Sequence, residues 1–215
     1  MKNRFRFNHD EYNLLISLDN PKKIQEFLDD LPYNLEEDEE TLYSPRMVIR
    51  EGKANCIEGA IFAAAALRIN GYKPLIFDLT SVRDDDHVIA VFKENNHWGS
   101  IGKSKYTGLR YREPIHKTFR ELAISYFESY FNFDGEKTLR GYSRPINLSR
   151  FDKLNWMTSE KFLFLIPEYL CTISHRSLLN QKMIRNISRV TPVMKRAGEL
   201  WMAENNLLEK AKNQQ

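Results

Sequence analysis

The stretch from Glu51 to Pro74, EGKANCIEGAIFAAAALRINGYKP, constrains this chain more than any other. From Cys56 it runs unbroken through apolar and alanine residues, then stops at Asn70-Gly71, a pair that favours a helix end. Ile57, Ala60, Ile61, Ala64 and Leu67 supply the apolar contact of such a helix, and the alanines let it lie close against a sheet. Cys56 opens the run, whereas a packing cysteine usually sits inside one.

A helix N-terminus presents unpaired amides and a partial positive charge. A thiol placed there has its thiolate favoured, so its pKa is expected to fall. The same amides can hold the oxyanion formed when the thiolate attacks a carbonyl. The plainer alternative is a small hydrophobe at the start of a buried helix. A nucleophile also needs a base, and His87 is the candidate. It heads HVIAVF, just after the turn RDDD and one strand beyond the helix, so the chain can return its imidazole over the helix start.

The other histidines are read as surface or capping residues. His9 lies in the polar N-terminal stretch, His97 near a hairpin bend, His116 after Pro114 and His175 in a late helix. Cys171 and His175 are spaced to share a helix face, but two ligands make a weak metal site. No metal or other cofactor is therefore expected.

Elsewhere the pattern is mixed. Asn20-Pro21 opens a helix carrying Ile24, Phe27, Leu28 and Leu31, followed by a polar loop to Pro45 whose acidic cluster is expected to be solvated. Lys73 to Thr80 reads as a strand, and Val88–Phe92 with Trp98–Ile101 as a hairpin bending near Asn95-Asn96. Tyr106 to Pro114 reads as a basic loop or short strand, and Thr118 to Phe133 as one helix. Trp156 to Leu170 reads as a buried segment, and one or two helices follow from Ser177, interrupted near Thr191-Pro192. The expected architecture is α+β, a single domain over 1–215 with a helical C-terminal part over 156–212.

Composition, at 42% hydrophobic and 28% charged, is that of a soluble globular protein. No apolar leader and no run of membrane-spanning length is present. Two widely separated cysteines make no disulfide framework, which points to a reducing, cytoplasmic setting. The net charge of +3 hides a split: 11 acidic residues lie between Asp10 and Glu40, and six basic residues with no acid between Arg176 and Gly198. No nucleic-acid motif accompanies the basic part, so attraction between segments is favoured over nucleic-acid binding. Seven basic residues between Lys103 and Arg120, counting His116, either line a cleft for an anionic substrate or pair with the acidic N-terminal segment.

Taken together, EGKANC, RINGYKP, DDHVIAVF and the Trp98 that follows resemble the transglutaminase-like superfamily over residues 44–104. The resemblance implies a papain-like fold, with a cysteine-bearing helix packed on an antiparallel sheet. It implies acyl transfer on a peptide or protein amide, with Cys56 as nucleophile, His87 as base, and Asn55, Ser104 and Trp98 in supporting positions. The family's third residue is an Asp four places after the Trp, and here that place is Gly102. The Ser104 hydroxyl or a backbone carbonyl is left to orient His87. The alternative reading is an inactive member of the fold that binds a peptide or protein in the same cleft.

Overall fold

In the computed structural model, which describes residues 5–36 and 39–198, the cysteine helix is α4, Cys56–Ile69. Asn55 Oδ1 accepts from the Glu58 amide at 3.0 Å, and the Glu58 carboxylate accepts from the Asn55 amide at 2.8 Å. This reciprocal cap satisfies two of the amides that a helix start leaves open. Asn70 ends α4, and Gly71 takes the left-handed turn (φ +91°) that a side chain would resist. Every residue from Glu58 to Leu67 is buried.

Before α4 come α1 (His9–Ser17), α2 (Pro21–Asp30) and α3 (Pro45–Glu51). After it come β1 (Leu75–Ser81), β2 (His87–Glu94), β3 (His97–Ile101), β4 (Arg112–His116), α5 (Phe119–Ile124), β5 (Leu139–Ser143) and β6 (Ile146–Asn147). The described chain closes with α6 (Leu165–Thr172), β7 (His175–Ser177), α7 (Gln181–Arg185) and α8 (Pro192–Gly198). The seven strands form one antiparallel sheet in the order β4-β3-β2-β1-β5-β7, with β6 also pairing β1. The fold is therefore mixed α+β, a helix packed on an antiparallel sheet.

Alternation along the strands splits the core in two. Ile76, Val88, Ala90, Phe92 and Ile101 face α4, while Phe77, Leu79, Ile89 and Val91 face Leu122, Ala123, Tyr126 and Tyr130. The β2–β3 hairpin turns at Asn95-Asn96, both at positive φ (+46° and +64°), so Glu94 pairs with His97. Among the described residues no helix is long and apolar enough to cross a membrane.

Two local expectations are corrected. Thr118 to Phe133 is not one helix: α5 ends at Ile124, and a 3-10 turn spans Phe127–Ser129. Long-range bonds override the helical spacing there, with the Tyr126 hydroxyl donating to Arg110 O at 2.8 Å and the Tyr130 hydroxyl to Asp85 O at 2.6 Å. His175 lies in β7 rather than a helix, because the segment pairs with β5 and His175 Nε2 meets Asp78 Oδ2 at 2.8 Å. Cys171, exposed on α6, thus shares no helix face with it. In the loop before α3, Glu39 and Glu40 are exposed, as expected of the acidic cluster, while the uncharged Asn34, Thr41, Leu42, Tyr43 and Ser44 are buried. α8 begins at the Thr191-Pro192 break, and the expected helical part beyond residue 198 lies outside the described residues.

Gly59 marks where the segment after β3 crosses α4. A Cβ there would lie 2.5 Å from Lys103 Cβ. Lys103 is 3% exposed, and its ammonium donates to the Leu28 carbonyl at 2.7 Å and to the Leu31 carbonyl, at the end of α2 where helix carbonyls lack partners. Gly59→Ala is expected to lower stability by about 1–3 kcal/mol through overpacking. The helix-propensity gain of alanine, about 1 kcal/mol, offsets only part of this. A urea midpoint at or above that of the parent would show that the crossing can give way.

Candidate active site

The first turn of α4 opens into a cavity of about 380 Å³. Cys56 and Asn55 line it from the helix, His87 from the head of β2, Ser104 and Leu109 from the segment after β3, and Tyr33 from the loop after α2. Trp98 is not among the lining residues; its ring packs tilted against Phe119 with centroids 4.3 Å apart, and Lys93 sits over it. Of the positions singled out in the sequence, the structure brings Cys56, His87, Asn55 and Ser104 together and leaves Trp98 apart.

The amides of Val88 and Ile57 and the hydroxyl of Tyr33 each favour the Cys56 thiolate. Burial outweighs them and pushes the thiol up from its ordinary value, with the charge of Asp85 adding to the rise. The fall expected from helix position alone is thus corrected. The helix amides are in place, but the enclosing side chains cost the thiolate more hydration than the amides restore.

His87 is 4% exposed, and its Nε2 lies 2.8 Å from the Leu109 carbonyl. A carbonyl only accepts, so Nε2 carries the proton and Nδ1 is the basic nitrogen of the neutral ring. Tyr126 and Tyr130 stand edge-on to the imidazole, at 6.3 and 6.4 Å between centroids. Burial drives the His87 pKa down to about 4; the Leu109 carbonyl opposes this and the Arg112 guanidinium adds to it.

Gly102 explains how a carbonyl comes to fill that role. A Cβ at 102 would lie 3.0 Å from the Leu109 oxygen and 3.3 Å from His87 Nε2. The bare backbone there leaves the Leu109 carbonyl room to reach the ring. Gln25, 1% exposed, fixes the segment by donating to the Gly102 carbonyl and accepting from its amide, each at 3.0 Å. The Ser104 hydroxyl is engaged elsewhere, accepting from the Tyr106 amide at 3.0 Å.

The loop Asp84–Asp86 turns toward the cavity, and all three aspartates line it together with Glu36 and Glu40. Asp84 is raised above the usual carboxylate range by burial first, its bond to Thr138 opposing and the charges of Asp85 and Asp86 adding. Of the basic residues from Lys103 to Arg120, only Lys105 lines the cavity. Lys103 is buried against the end of α2, Arg110 pairs with Asp29 at 2.8 Å, and the Arg112 guanidinium lies 3.9 Å from the centre of the Tyr126 ring. An anion-binding cleft built from that stretch is therefore corrected, and one member, Arg110, does pair with the acidic N-terminal segment.

Glu58 was invisible as a functional residue in the sequence. Fully buried, it also accepts from Thr41 Oγ1 at 2.8 Å, the Tyr43 amide at 2.9 Å and Asn34 Nδ2 at 3.1 Å, tying the outer loop to the helix start. Tyr33 and Leu109 carry no local signal at all, because both reach the site only through folding. Compared with known proteins, the chain matches no family model and no curated sequence.

Proposed function

We propose that Cys56 and His87 act as nucleophile and general base in acyl transfer from an amide or thioester, on a transglutaminase-like, papain-like core. The observation that carries the reading is a neutral imidazole, fixed through Nε2 by the Leu109 carbonyl, in the same cavity as a thiol at a helix N-terminus. His87 Nδ1 takes the thiol proton as Sγ bonds to the substrate carbonyl carbon. The oxyanion forms beside the Tyr33 hydroxyl and the amides of the first turn. As the C–N or C–S bond breaks, His87 returns the proton to the leaving group, leaving a thioester on Cys56. Water or an amine then attacks, gives its proton to His87 and releases the acyl group, and Sγ regains the proton. Both cysteines are free, which suits the reducing cytoplasmic setting in which we place the protein.

The test is intact-mass detection of an acyl-enzyme in a Cys171→Ser background, using an activated ester or thioester donor. One acyl group is expected on Cys56, none in Cys56→Ser, and acylation slower by about 10²–10⁴-fold in His87→Ala. A second reading, an inactive fold that binds a peptide in the cavity, is favoured by the thiol's upward shift. Folded protein that accepts no acyl group from any donor would select it.

A further inference from the structure

The cavity opposes the sign of the chain. The protein carries a net charge of +3, yet the cavity wall presents five carboxyl side chains against the single ammonium of Lys105. Three of the five are held in place: Asp84 accepts from Thr138 Oγ1 at 2.6 Å, Asp86 from the Ser81 amide at 2.7 Å, and Glu36 from the Thr41 amide at 2.8 Å. Among the described residues none of the five is in a salt bridge. Beside them stand Phe133, 65% exposed, and Phe164, 37% exposed, both on the cavity wall. Fixed charges of one sign in a concave, partly apolar wall concentrate the opposite charge.

We infer that the acyl donor is a cationic peptide, its lysine or arginine side chains set against Asp85 and Glu40 and an apolar neighbour against Phe133 and Phe164. The inference rests on the acyl-transfer reading for the substrate's role, not for its charge. A peptide fits better than a small polyamine, because a polyamine leaves the two exposed rings uncovered. Asp85 connects this selection to the chemistry. Its charge opposes the Cys56 thiolate, and a substrate cation beside it would relieve that opposition.

The test compares two methanethiosulfonate reagents of similar size, one bearing an ammonium and one a sulfonate, on Cys56 in a Cys171→Ser background. With each rate divided by that for free cysteine, the cationic reagent is expected to react at least about tenfold faster. The preference should shrink toward parity at about 1 M salt and in Asp85→Asn with Glu40→Gln. A short peptide alternating lysine and phenylalanine should shield Cys56 from a neutral alkylating reagent, better than spermidine and unlike the glutamate version. Equal rates for the two reagents, or shielding by the glutamate peptide, would overturn the inference. Equal shielding by spermidine would overturn the assignment to a peptide. Because the readout is thiol modification, a cavity that selects cations but forms no acyl-enzyme would overturn only the acyl-transfer reading.

Discussion

Replacing Glu58 with alanine is expected to cost about 3–5 kcal/mol of stability, the range for breaking a buried charged network. The side chain is completely buried and serves four donor groups: the amides of Asn55 and Tyr43, the Thr41 hydroxyl and the Asn34 side-chain amide. Its removal leaves all four without that acceptor inside the core. Glu58→Gln keeps the volume but converts one acceptor into a donor, and about 1–3 kcal/mol is expected. Urea denaturation measures both. A loss below about 1 kcal/mol for alanine would mean that the outer loop is held by something other than this carboxylate.

Acid stability should report His87 almost as strongly. Its folded pKa, about 4, lies below the ordinary value of 6.5, so the native protein resists a proton that the unfolded chain accepts. Above pH 6.5 both states are neutral at this residue and its contribution is fully present. As pH falls from 6.5 through 4, the unfolded state binds the extra proton and the contribution is lost, about 3 kcal/mol in all. His87→Gln has no such group, so the parent should lose about that much relative to it between pH 7 and pH 4. The Asp78 carboxyl, raised to about 6 chiefly by burial, titrates in the same window with the opposite sign. It is present in both proteins and cancels in the difference. A difference that does not change with pH would mean that His87 can take up its proton without unfolding.

What could be read from the sequence follows the reach of each signal. α4 was legible because its signals are local: the apolar run is unbroken from Cys56 and Asn70-Gly71 closes it, whereas the reciprocal cap of Asn55 and Glu58 was seen only in the structure. The hairpin was legible because Asn95-Asn96 tolerates positive φ. Cys56 and His87 were readable as members of one site because one sits at a helix mouth and the other heads the second strand after it. The missing carboxylate at Gly102 was visible too, but not the Leu109 carbonyl that meets His87 from 22 residues away. β7 was misread because its three residues are a strand only through pairing with β5 and through the bond from His175 to Asp78. The basic run after Lys103 was ambiguous for the same reason. The charges of Lys103, Arg110 and Arg112 are buried, paired or stacked by partners that no local pattern announces.

The pH profile of single-turnover acylation of Cys56, in the Cys171→Ser protein and in the same protein carrying His87→Ala, tests the central claim most directly. With a neutral His87 drawing the proton from a thiol that stays un-ionised, acylation should rise as His87 loses its proton near pH 4 and hold level through neutrality. Without His87 that plateau should vanish, leaving a slower rate that climbs only in alkali as the thiol itself ionises. Superimposable profiles in the two proteins would contradict the account, because Cys56 would then be reacting without its base.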